Sequence, residues 1–439
     1  MTLAAAAASC RGRLRGGPGG LVLTSYHTDS REVRAGGLFF ALPGAQGDGH
    51  DFLLAAAERG AAAAVVNRPL AVDLPQIVVA DTWRALYDLA GSTLASIAPL
   101  VIGITGSSGK TSTKELTAAA LEGNFRVRKT VGNLNTETGV PLTLLQLEPG
   151  EQALVLEMGM RGAGEIARLA RLARPQIGVI TNVGSAHAEY FPDGIEGIRA
   201  AKSELVEALP PEGLAVLNAD DPSFEHLRLR TQARVTSFGF EAGDLRAHGY
   251  RPTELGCAFE VGGLQVQLSL AGRHQAGNAL AALAVARDLG ISLGEAAPRL
   301  LGVSSQHRLQ SLGTAFGWTL IDDSYNANPE SMLAAFEVMA ELSTDGRRLA
   351  LLGEMRELGG LARAAHERIG RRAAELFDEV AVMDVGMGSV LAEAAGATLL
   401  SGEQAALDWV HEHMTSADVL LVKASNGVGL HALIERLRT

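Results

Sequence analysis

The string LVIGITGSSGKTSTKE at 100–115 constrains this chain more than any other stretch. An apolar run meets a glycine-rich turn, and a helical pattern begins near Lys110. A strand that enters a helix through such a turn is half of a βα unit, so the middle of the chain is committed to a parallel α/β sheet. Backbone N–H groups at the start of that helix can surround a phosphate, and the glycines permit its close approach. Lys110 is placed to reach the terminal phosphates, and the Thr111 hydroxyl to coordinate Mg²⁺. The strict P-loop pattern has a glycine where this chain has Ile104, so the local form is GxxGKTS. The strand before and the helix after favour phosphate binding over an incidental Gly-Lys-Thr. The expected contacts are Gly106, Ser107, Ser108, Gly109, Lys110, Thr111 and Ser112.

The same rhythm extends on both sides and divides the 439 residues into three blocks, as expected at roughly 100–200 residues per domain. Residues 1–98 contain short strands (LVLTS, LFFALPG, AAAAVV, QIVVA) and one Ala-rich helix. Residues 99–302 open at Pro99 and alternate buried-strand runs with helices. Within them, Val235–Leu270 reads as a small antiparallel insert, because FEVGGLQVQLSL alternates. Residues 303–439 restart the βα pattern in a Rossmann-like manner. The expected fold is therefore α/β in three domains. VGMGS at 385–389 lacks full dinucleotide spacing and reads as a strand-to-helix turn.

Composition excludes several classes. Lys plus Arg is 38 against 49 Asp plus Glu, a net charge of -11. No broad basic surface is available for nucleic acid or anionic membrane. Two cysteines, Cys10 and Cys257, support neither a disulfide framework nor an all-Cys zinc site, and suit a reducing cytoplasm. No apolar run reaches bilayer length. MTLAAAAASC has a lipoprotein-like outline but no preceding positive charge, and reads as a plain helix. Without a heptad seam or an apolar strip, a monomer is expected.

Other polar residues fall at strand ends. Glu157 closes ALVLE at the carboxyl edge of the sheet, where open α/β folds bind ligands. His187 follows IGVITNVG. Mg²⁺ prefers oxygen, which favours Glu157 over His187 as a ligand. Lys202, in AKSE, lies on a helix and reads as a solvated lysine. Asn278 in GRHQAGN either contacts nucleotide or caps the helix it begins. Arg308 stands in QHRLQ near the second boundary. DDSYNANPES at 322–331 reads either as a strand end with Pro329 opening a helix or as adenine and ribose contacts.

Taken together, these strings resemble the Mur ligases, ATP-dependent amide-forming enzymes of peptidoglycan synthesis, from about Thr24 onward. TDSREVRAGGLFFALPG with DGHDF is similar to a uridine-nucleotide domain. GSSGKTSTKE, VGNLNTETGVPLTLL, LEMGMRGAGEI, TNVGSAHAEYF, DDSYNANPESM and LLGEMRELG resemble the branch that adds D-alanyl-D-alanine to a UDP-N-acetylmuramoyl-tripeptide. The DNPR string of the branch adding the third amino acid is missing, a folylpolyglutamate synthetase would not need the N-terminal domain, and the NKxD of a GTPase does not occur. Retention of the whole reactive set argues against a catalytically dead binding protein.

The resemblance implies a UDP-anchoring domain, a central ATPase domain and a Rossmann-like C-terminal domain. It implies ATP contacts at Asn278, Arg308, Asp323, Tyr325 and Asn328, a uridine-nucleotide site at Ser30 and Arg31, and muramoyl-peptide contacts at Asn135 and Thr136. Two Mg²⁺ ions would be held by Thr111, Glu157, His187 and a carbamylated Lys202, with Lys110, Glu157, His187 and Lys202 as the catalytic set. The segment KASNGVGL at 423–430 departs from the family's KGSR-type string, so only Lys423 is carried over as a substrate contact. An acyl-phosphate mechanism is implied, with the C-terminal domain closing when ATP binds.

Overall fold

The apolar runs become the strands of three sheets. The computed structural model describes residues 1–44, 47–254, 256–304 and 307–438; Gln306 of the QHRLQ string lies outside them. The first sheet contains β1 (Arg13–Arg15), β2 (Ser25–His27), β3 (Gly37–Phe40), β4 (Ala61–Val66) and β5 (Gln76–Val78), in the order β1-β5-β4-β3-β2. The second contains β6 (Leu100–Thr105), β7 (Val127–Lys129), β8 (Ala153–Glu157), β9 (Ile177–Ile180), β10 (Leu214–Asn218), β11 (Arg234–Gly239), β12 (Leu245–Thr253), β13 (Gly256–Val261) and β14 (Leu264–Leu268). Their order is β14-β13-β12-β11-β10-β9-β6-β8-β7. The third contains β15 (Gln310–Gly313), β16 (Thr319–Asp322), β17 (Arg348–Leu352), β18 (Glu379–Met383), β19 (Thr398–Leu400) and β20 (Val419–Lys423), ordered β15-β16-β20-β17-β18-β19. The chain gathers into two compact units. One comprises Met1–Gly103, Phe125–Gly159 and Ala167–Gln176, and the other Ile104–Asn124, Met160–Ile166 and the chain from Ile177 onward. Among the described residues no helix is long and apolar enough to cross a membrane.

In the first unit, β2 to β5 run parallel and β1 pairs antiparallel with β5. Phe39, Ala64 and Val66 of this sheet pack against Leu53 and Ala56 of the helix Leu53–Glu58. The N-terminal alanines form the expected helix, Leu3–Ser9, whose Thr2 hydroxyl accepts from the Ala5 N–H. Two expectations need correction. The strand placed at LVLTS begins only at Ser25, because Leu21 and Leu23 instead make backbone bonds to the helix Leu3–Ser9 and its N-terminal flank. After the N-terminal helix this block has two helices where one was expected, Leu53–Glu58 and the longer Thr82–Ile97. Asp81 caps its start, and Ala98 in a left-handed conformation followed by Pro99 ends it.

In the second unit, β9 to β12 run parallel, and antiparallel pairing begins only between β12 and β13. The antiparallel stretch is therefore shorter than the Val235–Leu270 expected, and it extends the same sheet. β11 is buried continuously from Thr236 to Gly239, as a parallel strand covered on both faces should be, but β13 is also largely buried and pairs antiparallel on both edges, so strand pairing and not burial sets the boundary. The helix Arg273–Asp288 is fully buried from Ala279 to Ala286 and packs against the helix Lys110–Leu121. Its many alanines let the two axes come close.

The third sheet is parallel except for β15 and carries helices on both faces. Met332, Phe336, Ile369 and Leu391 fill one side; Trp318, Leu407, Trp409 and Leu437 fill the other. VGMGS is the expected turn, leading into the helix Gly388–Ala395. Insertion of β20 between β16 and β17 reverses the strand order there, so their carboxyl ends form a switch-point crevice.

Candidate active site

The glycine-rich loop leaves β6 and enters its helix at Lys110, as the sequence requires. Gly109 caps that helix with φ +78, in the left-handed region, and a Cβ there would lie 2.5 Å from Asn278 Oδ1. A Cβ on Gly106 would lie 1.8 Å from Thr181 Oγ1. Both glycines are therefore forced by close approach. Lys110 Nζ donates to the Gly106 carbonyl at 2.7 Å, folding its own loop into a ring. Ser112 is buried in the first turn of the helix.

The segment following β9 braces this loop. Thr181 Oγ1 donates to the Ser108 carbonyl (2.6 Å), Asn182 Oδ1 accepts from the Ser108 N–H (3.0 Å), and Ser107 Oγ accepts from the Gly184 N–H (2.7 Å). Thr181 and Asn182 were not singled out from the sequence. Their signals there are position, immediately after an apolar run at the carboxyl edge of the sheet, and membership of the TNVGSAHAEYF string.

Residues far along the chain converge on the same loop. An Arg308 amine donates to Thr111 Oγ1 at 3.0 Å, and its guanidinium lies 4.3 Å above the Tyr325 ring. Asn328 directs its amide at the Ser107 carbonyl, 3.5 Å away, and also caps the helix Pro329–Glu341. Thus the cap and Pro329 opening expected at DDSYNANPES are present together with the approach to the loop. Asn278 does not cap its helix: Gly272 does, and Asn278 sits five residues in, held by Gln275 at 3.0 Å and facing Gly109. At the crevice of the third sheet, Lys423 Nζ pairs with Asp323 at 2.6 Å and donates to the Asn326 carbonyl. Burial raises the Asp323 carboxyl, and Lys423 and Arg308 pull against that rise.

Lys202 is not the solvated lysine expected. It is 1% exposed on the helix Ile195–Glu207. Burial, reinforced by the charge of Lys110, lowers its amine well below the ordinary lysine value, with Asp221 opposing. His187 follows β9 with φ 69, and its Nδ1 lies 2.5 Å from Glu357 Oε2. Glu357 has φ 61. A non-glycine residue in this region costs about 1–2 kcal/mol, so the surrounding structure holds both. Hydrogen bonding to His187 holds the Glu357 carboxyl below the usual carboxylate range.

The first unit contains the remaining candidates. Glu157 is buried at the end of β8 and accepts from Asn135 Nδ2 at 2.7 Å, while its N–H donates to Thr130 Oγ1. Thr136 Oγ1 accepts weakly from the Gly139 N–H. Ser30 is buried in a 3₁₀ turn, Ser30–Glu32, whose Asp29 cap also binds the exposed Arg31 guanidinium. Among the described residues no three His, Cys, Asp or Glu side chains cluster as a metal cage. A divalent ion here would need hydroxyl, phosphate or carbamate oxygens.

The loop, its helix and the parallel sheet define an α/β protein of P-loop architecture. Three family models match: "Mur ligase family, catalytic domain" over residues 23–122, "Mur ligase middle domain" over 104–286, and "Mur ligase, glutamate ligase domain" over 307–426. A UDP-N-acetylmuramoyl-tripeptide–D-alanyl-D-alanine ligase of Mycobacterium tuberculosis is 38% identical, over 93% of this chain and 91% of that protein. A crystal structure of MurF from Acinetobacter baumannii superimposes with a TM-score of 0.90 at 31% identity, covering 100% of this chain and 98% of that one. MurF ligase from Thermotoga maritima in complex with ADP gives 0.84 at 31% identity, over 95% and 98%. The chain belongs to the Mur ligase family.

Proposed function

We propose that this chain joins D-alanyl-D-alanine to a UDP-N-acetylmuramoyl-tripeptide, consuming ATP and releasing ADP and phosphate. The observation that carries the reading is the convergence of Arg308, Asn328 and Asn278 on the loop 106–111. The name of the M. tuberculosis relative supplies the substrates, and the ADP complex of the Thermotoga relative supports ATP as the nucleotide.

A carboxylate is a poor acyl donor, so the tripeptide carboxylate first attacks the ATP γ-phosphorus and ADP leaves. The resulting acyl phosphate is attacked by the free amine of D-Ala-D-Ala; a proton leaves the nitrogen and phosphate departs. Lys110 would exchange its bond to Gly106 for the transferring phosphoryl group and offset its charge. Arg308 would hold the nucleotide while stacked on Tyr325. Asn278, Asp323 and Asn328 would contact the nucleotide, and Lys423 would reach substrate from the same crevice. Ser30 and Arg31 would anchor the uridine nucleotide, and Asn135 and Thr136 the muramoyl peptide.

Two Mg²⁺ ions fit this chemistry, with Thr111, Glu157, His187 and Lys202 as the residues that would hold them. Bound there, they would supply Lewis-acid stabilisation of phosphoryl and acyl oxygens. A buried amine kept neutral can attack carbon dioxide and release a proton, which converts Lys202 into an anionic carbamate. We also propose domain boundaries at 98/99 and 302/303, consistent with three sheets spanning Arg13–Val78, Leu100–Leu268 and Gln310–Lys423. A cytoplasmic monomer completes the proposal.

Purified protein with ATP, Mg²⁺ and UDP-muramoyl-tripeptide should release phosphate only when D-Ala-D-Ala is added, and yield the UDP-muramoyl-pentapeptide by mass. Release supported instead by a diamino acid would move the substrate assignment.

A further inference from the structure

We propose that Glu357 is a positioning residue for His187. It fixes the imidazole so that Nε2 is presented to the catalytic metal. This rests on the reading of His187 as a metal ligand.

The two residues are 170 positions apart and meet through Nδ1 and Oε2 at 2.5 Å. A carboxylate accepts only from a protonated Nδ1, so in the neutral ring this contact selects the tautomer whose Nε2 carries a lone pair. Nε2 makes no hydrogen bond among the described residues, whereas Nδ1 is committed. Ligating histidines use a carboxylate in this way to set both ring orientation and basicity.

The backbone holds the carboxylate in place. The Glu189 N–H donates to the Glu357 carbonyl at 3.1 Å. Gly359, with φ +52, packs so closely that a Cβ would lie 2.8 Å from Glu189 Cα. Tyr190 Oη donates to Glu357 Oε1 at 3.3 Å, and Arg161 lies 3.3 Å from the same oxygen. One carboxylate oxygen is thus occupied by Arg161 and Tyr190, and the other is left for the histidine. His187 and Glu357 both adopt left-handed backbone conformations, so each side chain is aimed by an unusual main chain. A purely structural ion pair between two loops would need neither feature.

The test is Mn²⁺ binding to the full-length protein with ADP, followed by electron paramagnetic resonance, for wild type, His187→Ala, Glu357→Gln, Glu357→Asp, Arg161→Ala and Tyr190→Phe. Melting temperatures without metal identify any variant that fails to fold. We expect Glu357→Gln to weaken Mn²⁺ roughly 10–100-fold and His187→Ala at least as much. Arg161→Ala and Tyr190→Phe, which release only Oε1, should weaken Mn²⁺ less than Glu357→Gln does. In turnover, Glu357→Gln should raise the Mg²⁺ concentration needed for half-maximal rate far more than the KM for ATP. If Glu357→Gln does not fold, Glu357→Asp, which keeps the charge but shortens the reach, should show the same loss in smaller degree. If His187→Ala weakens Mn²⁺ but folded Glu357 variants do not, the proposal fails and the metal assignment stands. If neither does, the role of His187 as a ligand fails and the proposal fails with it.

Discussion

Lys202 shows how far a residue's chemistry depends on where the fold places it. On sequence grounds it is one lysine on an amphipathic helix, yet the structure buries it beside a second cation, Lys110. Withdrawing even a neutral polar group from water without full compensation costs about 1–3 kcal/mol. The proposed carbamate would need that amine neutral, since only a neutral amine reacts with carbon dioxide. Lys202→Met retains the length and removes the amine. Ligase activity should fall below detection, while stability from urea unfolding should stay level or rise by up to about 2 kcal/mol. A fall of more than about 1 kcal/mol would mean that the ammonium stabilises the fold through Asp221, and the carbamate reading would lose its physical basis. His187 carries the same lesson in reverse. Its position after β9 was legible, but its partner Glu357 was not, because no local spacing relates two residues that meet only through tertiary structure.

At the scale of elements, legibility followed burial. The strands β6, β8, β9, β10, β17, β18 and β20 are short, almost wholly buried apolar runs, and the sequence marks them clearly. β15 and β19 are short, partly exposed edge strands with no such run, and neither was foreseen. The antiparallel boundary was misplaced because β11 and β13 are both largely buried, and periodicity cannot distinguish their pairing partners. The loop from Gly106 to Thr111 was legible because its chemistry needs glycine at fixed positions. Gly109 tests that account. An alanine there adds about 1–2 kcal/mol of left-handed strain and drives a methyl into Asn278, whose Oδ1 would be 2.5 Å from it. Gly109→Ala should therefore destabilise the protein by at least that amount in denaturant titration and weaken ATP more than tenfold. Adding Asn278→Ala removes the steric clash but not the strain, so it should recover part of the stability and none of the nucleotide affinity. Full recovery of both would show that the positive φ is incidental.

Over the whole molecule, a chain of net charge -11 sets Lys110 and Arg308 at its polyphosphate candidate loop. Cations so placed focus attraction on an anion even where the overall field repels it. The uridine-nucleotide candidates Ser30 and Arg31 belong instead to the unit that contains the five-stranded sheet. Two ligands assigned to different elements should leave different footprints, because a ligand suppresses the local openings of the segments it contacts. Amide exchange read by mass spectrometry should slow at 106–113, 181–185 and 322–328 with a non-hydrolysable ATP analogue and Mg²⁺. The segment 181–185 is included because Thr181, Asn182 and Gly184 bond the loop directly, so ordering the loop orders them too. With UDP alone, slowing should centre on 29–42, the 3₁₀ turn and the buried strand Gly37–Phe40 beyond it. At 100 times its Kd each ligand should add about 2.7 kcal/mol to the stability of what it binds. If UDP instead protected 106–113, the P-loop would be reading pyrophosphate without regard to the base. The assignment of Ser30 and Arg31 would then fail, although the fold and the family would stand unchanged.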